Sequence, residues 1–147
     1  MVISGWRSWL RWVLLGLIGL FALIQLVPVD RSNPPVRTDI DAPENVAAIL
    51  RRSCYDCHSH ETRWPWYSRI APVSWWLVDH VEHARGDLNF SEWPVFDFRA
   101  QELAFKDIEE QIDKGKMPLR SYLILHPGAR LGADDRETLL RWVRSQP

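Results

Sequence analysis

Residues 12–29 run Trp-Val-Leu-Leu-Gly-Leu-Ile-Gly-Leu-Phe-Ala-Leu-Ile-Gln-Leu-Val-Pro-Val, 18 positions without a charge. At about 1.5 Å per residue they make a helix of roughly 27 Å, close to the hydrocarbon thickness of a bilayer. Trp6, Trp9 and Trp12 flank its start as headgroup-level aromatics do, and Arg7 and Arg11 place positive charge on the N-terminal side. The pattern predicts a transmembrane anchor over residues 1–29 with its N-terminus in the cytoplasm. A cleaved secretory signal shares the basic start, but no small-x-small site closes the run. Both readings export the remainder. Residues 30–41 contain the paired Pro34 and Pro35 and read as an extended, semi-rigid linker.

Beyond the linker the apolar positions fall at helical spacing. Asp41 and Glu44 are spaced as a capping box before Val46, Ile49 and Leu50, which predicts a helix opening at Asp41. Val73, Trp76, Leu77, His80, Val81 and Ala84 trace one face of a second helix that ends at Gly86 and turns His80 inward. A third runs from about Arg99 to Lys114, closed by Gly115. The last starts near Asp134 with Glu137 as its capping partner and turns Leu139, Leu140, Trp142 and Val143 inward. No βαβ pattern surrounds the cysteines and no segment repeats. The expected fold is all-α, an N-terminal transmembrane helix followed by a small helical domain over residues 42–147.

Composition narrows the function. The chain has 147 residues, 46% hydrophobic, with 18 basic against 19 acidic side chains and a formal net charge of −1. That length suits one domain with one appended segment, and the apolar content is too high for a disordered chain. A near-neutral balance gives no electrostatic reason to expect nucleic acid. Two cysteines cannot build a disulfide framework, so their spacing carries the information.

They stand in Arg51-Arg-Ser-Cys54-Tyr-Asp-Cys57-His58. Cys-x-x-Cys-His is the c-type haem attachment pattern. Thiols three apart on a helical turn reach two vinyl groups of one porphyrin edge, and the next residue, His58, offers an imidazole to the iron. Three other readings compete. A redox dithiol would open a helix after a strand, whereas this pair ends one. A zinc site would draw on Cys54, Cys57 and two of His58, His60, His80 and His83. A structural disulfide would close too small a loop to stabilise much.

The second axial position needs a donor well downstream. Apart from the first residue, the sole methionine is Met117, in Gly115-Lys-Met-Pro118, and a loop Met followed by Pro can project its thioether toward a ring plane. His/Met ligation raises the potential relative to bis-His. Met117 could instead be ordinary core filler. His80 is the main rival, with His83, His126 and His60 behind it, although an inward His is more often hydrogen-bonded in the core. Trp64, Trp66, Trp75, Trp76 and Trp93 suit a porphyrin wall or plain packing equally well.

This order of parts resembles the membrane-anchored haem-binding domain family of cytochrome c-like proteins. The matching stretches are Cys54 to His60 with Thr62 to Tyr67, then Asp79 to Val81 and Leu88 to Trp93. Gly115 to Pro118 follows, then Tyr122 to Leu131 with His126-Pro127. The resemblance implies one covalent haem c, with Cys54 and Cys57 as thioether positions, His58 as proximal ligand and Met117 as the distal one. Relatives fused to or beside peroxidase-type cytochromes imply redox chemistry. Gly132-Ala133 departs from the expected Ser cap of the last helix, and Leu119 stands where relatives often have a second Pro.

The expected function is a non-enzymatic, membrane-tethered monohaem carrier of single electrons on the periplasmic side of a bacterial inner membrane, serving a redox partner protein. Lys114, Lys116 and Arg120 around Met117 could form a basic docking rim in an otherwise acidic domain. The alternatives are a haem sensor or peroxidase-associated protein with an open or displaceable sixth ligand, and a zinc-stabilised interaction domain.

Overall fold

A computed structural model of the chain describes residues 3–94 and 97–146. It is all-helical, with no strand among the described residues. The helices are α1 (Ile3–Ile24), α2 (Glu44–Ser53), α3 (Tyr55–His58), α4 (Val73–Asp87), α5 (Phe98–Asp113), α6 (Arg120–Leu125) and α7 (Ala133–Arg144). Short 3-10 turns lie at Trp66–Arg69, Phe90–Glu92 and Pro127–Ala129. The chain divides into two compact units, Met1–Arg31 with Trp64–Asp79, and Ser32–Arg63 with His80–Pro147.

The first unit joins α1 to the segment that follows the cysteine motif. Within α1, Trp6–Ile24 is long and apolar enough to cross a membrane, with a mean hydropathy of 1.6 and none of it buried. Just past its end, Gln25 bonds in three directions: Nε2 donates to Phe21 O (3.0 Å) and Ala71 O (3.1 Å), and Oε1 accepts from Ala71 N (2.9 Å). These contacts close the last helical turn and fasten residue 71 there. Arg31 Nη1 donates to Ser68 O at 3.2 Å. Ala71, Leu77, Val78, Ser68 and Ser74 are buried.

The second unit is built on α2, α5 and α7, with α7 packed against both of the others. Leu50 and Leu139 are completely buried, and Val46, Ile49, Phe105, Ile108, Ile112, Trp142 and Val143 surround them. An aromatic file leads from the cysteine motif into this core. Tyr55 stacks on Phe90 (5.0 Å), Phe90 on Trp93 (6.2 Å), Trp93 meets Phe105 (5.1 Å), and Phe105 meets Trp142 edge-on (5.5 Å). Each such pair contributes about 0.5–1.5 kcal/mol beyond its buried area, so the motif is held by the best-packed part of the unit. Residues 32–39 run extended and are bonded to it. Asn33 Nδ2 donates to Thr62 O (2.9 Å), Arg37 N and Thr38 N to Ser91 O (3.0 and 3.2 Å), and Thr38 Oγ1 to Trp93 O (2.9 Å).

Several local expectations need correction. The first domain helix opens at Glu44, not Asp41, because Pro43 holds the N-cap at φ −53°, ψ 148° and disfavours helical geometry at Ala42. The α7 cap is Gly132, whose N–H donates to Asp135 Oδ2 at 3.0 Å. Glu137 instead pairs with Arg141. Val73 and Trp76, expected on an inner face, are 44% and 54% exposed, while the half-buried His80 adjoins buried Val81. Of the five tryptophans between residues 64 and 93, Trp93 joins the core of the second unit, and Trp64, Trp66, Trp75 and Trp76 belong to the first. The long helix at Phe98–Asp113 agrees with its sequence signals. Asp97 caps its start by accepting from Ala100 N (2.9 Å), and Gly115 takes φ 62° just past its end.

Candidate functional site

Cys54 ends α2 and begins the next turn, and its carbonyl accepts from Cys57 N (3.1 Å) and His58 N (2.9 Å). That turn brings both cysteines and the histidine onto one short helical segment. The two thiols are not joined to each other. Burial pushes the Cys54 thiol up to about 12, with Cys57 adding to it and Arg52 opposing, and burial and Asp56 push Cys57 up to about 11. A redox dithiol depends on a depressed thiol pKa, so both shifts run against that reading.

His58 is fixed by backbone. Its Nδ1 faces two carbonyls in the last turn of α4 and just beyond it, Ala84 O at 3.0 Å and Leu88 O at 3.1 Å. Only a protonated Nδ1 satisfies them, so when the ring is neutral Nε2 is its acceptor nitrogen. Burial lowers the imidazole pKa against the pull of these carbonyls, and the charge of His80 lowers it further. A ring with Nδ1–H on a carbonyl leaves Nε2 as the nitrogen that can accept a proton or a metal.

The rest of the turn is fastened by side chains that sequence reasoning did not single out. Asp56, between the cysteines, accepts from Arg63 Nε (3.0 Å), Arg63 Nη2 (2.9 Å), Arg63 N (3.2 Å) and Tyr122 Oη (2.8 Å). Burial alone would raise its carboxyl, but the bonds from Arg63 and Tyr122 outweigh that and hold it below the ordinary value. Arg85 Nε donates to Ser59 O (2.8 Å), and Nη2 donates to Thr62 Oγ1 and Asn33 Oδ1 (both 2.9 Å). The signal for Asp56 was its position inside the motif. Nothing in the pattern pointed to its partners, which lie 7 and 66 residues away.

The other sequence candidates are placed as follows. His60 is buried with both ring nitrogens engaged, Nδ1 against Pro35 O (3.0 Å) and Nε2 against Asn89 Nδ2 (2.8 Å). His126 stacks on Tyr122 at 4.1 Å. His83 is exposed. Met117 is half-buried in the loop between α5 and α6. One end of that loop is tied to α5, where Gln111 O accepts from Lys116 N (2.9 Å) and Met117 N (3.3 Å). The other end leads into α6, whose Tyr122 holds Asp56. Lys114 of the expected basic rim is paired with Glu110 at 2.6 Å, while Lys116 and Arg120 are exposed. Among the described residues no three His, Cys, Asp or Glu side chains converge as a metal cluster.

Against known proteins, the family model described as a haem-binding domain matches residues 19–145. No curated protein and no solved structure matches the chain.

Proposed function

Because the chain belongs to the haem-binding domain family, we propose that it carries a single covalent haem c and passes single electrons while tethered to a membrane by α1. The observation that carries this reading is His58, whose Nδ1 is held by Ala84 O and Leu88 O, so that Nε2 would be the nitrogen offered to the iron. Cys54 and Cys57, unpaired and three residues apart on the same turn, would hold the porphyrin edge through thioethers. Bound haem supplies a one-electron iron couple.

The chain's own contribution is to keep that site rigid. The Ala84 and Leu88 carbonyls stop the His58 ring from rotating, and the bonds to Asp56 and from Arg85 hold the backbone on either side of it. A rigid site changes little between two charge states of its occupant, which suits electron transfer. Met117 is the better distal candidate than His80. His80 stands one turn before Ala84 on the helix whose carbonyl holds Nδ1, whereas the haem would be held at Nε2. Met117 rides on a loop anchored to the motif through Tyr122 and Asp56. The periplasmic side follows from Arg7 and Arg11 before the span. The protein serves as a carrier between redox partners, docked through Lys116 and Arg120.

The test is absorbance and magnetic circular dichroism of the full chain matured with c-type haem. Met117→Ala should abolish the methionine–iron charge-transfer signature while covalent haem is retained, and His80→Ala should leave that signature in place. An unchanged spectrum in Met117→Ala, with a changed one in His80→Ala, would overturn the ligand assignment.

A further inference from the structure

Seven of the nine tryptophans lie in the first unit, in two groups. Trp6, Trp9 and Trp12 stand at the start of the apolar span and are 67%, 59% and 73% exposed. Trp64, Trp66, Trp75 and Trp76 stand in the segment that Gln25 fastens to the other end of it. Residues 64–78 contain one charged side chain, Arg69. They also present large apolar groups outward, Trp66 (73% exposed), Ile70 (36%), Val73 (44%) and Trp76 (54%).

We propose that residues 64–78 form an interfacial membrane element, with Trp66, Ile70, Val73 and Trp76 set into the lipid headgroup layer at the C-terminal end of α1. The position comes from Gln25. It directly follows Ile24, the last residue of the helix long and apolar enough to span, and its carboxamide holds both the N–H and the C=O of Ala71. Residue 71 therefore sits within one side chain's reach of the level at which the span leaves the hydrocarbon. Arg31 Nη1 on Ser68 O ties the preceding turn to the chain leaving the span. Held at that level, four large apolar side chains and a single cation match the boundary between acyl chains and headgroups, where indole rings are favoured. The aromatics at the start of α1 would form the matching belt at the opposite face.

This inference rests on α1 spanning the bilayer, and the experiment separates the two. The full chain is reconstituted into vesicles of phosphatidylcholine with phosphatidylglycerol. A nitroxide on a ketone-bearing amino acid is placed singly at positions 14, 66, 73, 76 and 124, all exposed in the structure. Relative accessibility to oxygen and to a water-soluble nickel chelate gives each label's depth. The expected result is a deep reading at 14, an aqueous reading at 124, and depths of about 5–10 Å at 66, 73 and 76. Aqueous readings at 66, 73 and 76 with a deep reading at 14 would overturn the interfacial element and leave the anchor intact, pointing to a protein partner on that face. An aqueous reading at 14 would overturn both. A membrane reading at 124 as well would indicate general adsorption and would also overturn the proposal.

Discussion

Tyr122→Phe should destabilise the protein more than Arg63→Ala, although Arg63 makes three of the four bonds to Asp56. The reason is solvent. The Arg63 side chain is 72% exposed and that of Asp56 only 14%. The pair is bidentate, but its guanidinium stands in solvent, where water screens it and competes for it, so it contributes at the upper end of the range for surface pairs, about 1 kcal/mol. The Tyr122 hydroxyl instead donates to a half-buried carboxylate at 2.8 Å, and hydrogen bonds to charged groups contribute about 1.5–3 kcal/mol. Since Asp56 keeps Arg63 in the variant, the lower end applies, about 1.5 kcal/mol. Urea unfolding of the full chain in mild detergent, followed by near-ultraviolet circular dichroism, reads this directly. With m of about 1.5 kcal/mol/M, Tyr122→Phe lowers the midpoint by about 1 M and Arg63→Ala by less. In a double-mutant cycle with Asp56→Asn, the Tyr122→Phe effect should largely vanish. The reasoning fails if Arg63→Ala shifts the midpoint as far as Tyr122→Phe, or if the Asp56 and Tyr122 effects simply add.

Leu50→Ala, at a completely buried position of α2, should cost about 2–5 kcal/mol in the same assay, and a loss under 1 kcal/mol would mean this core is not the one that holds the unit together. At Gly115 an added Cβ meets only Arg136 Nη1, at 3.8 Å, so Gly115→Ala should cost about 1–2 kcal/mol from φ 62° alone and Gly115→Asn less; equal costs would argue against a left-handed cap. Burial and the bond to Asp39 raise the Tyr55 phenol above its ordinary value. Above about pH 10 the unfolded chain loses that proton while the folded chain keeps it, so stability should fall as pH rises past this point. Stability that stays flat there, or a Tyr55→Phe variant with the same alkaline slope, would contradict the placement of Tyr55. Lys116→Glu should slow reduction by an acidic donor protein at low salt, and an unchanged rate would remove the docking rim.

The sequence was most legible where a feature is local. The Cys-x-x-Cys-His turn and the helix stopped by Gly115 are set by neighbours within a few residues and stand near their expected positions, whereas the helix expected over residues 12–29 starts earlier and ends at Ile24, ahead of Pro28. Capping was read with a register error at both ends of the second unit. Pro43 displaces the start of α2 to Glu44, and Gly132 takes the cap expected at Asp134. Long-range contacts were not legible. Nothing in the periodicity of 73–84 distinguishes a face meeting protein from one left open, so Val73 and Trp76 were read as inward. The anchoring of the motif is hidden for the same reason, since backbone carbonyls such as those of Ala84 and Leu88 are common to every residue type and the Tyr122 hydroxyl finds its partner 66 residues away. Haem as the family's ligand was readable from three residues, whereas what holds those residues still was not.

The central claim is tested most directly by a pyridine haemochrome spectrum of the full chain, expressed with a c-type maturation system and extracted with acid acetone to remove loosely held haem. A retained c-type spectrum that disappears in the Cys54→Ala/Cys57→Ala double variant is the predicted result. Complete extraction of the haem from the unaltered chain would contradict it.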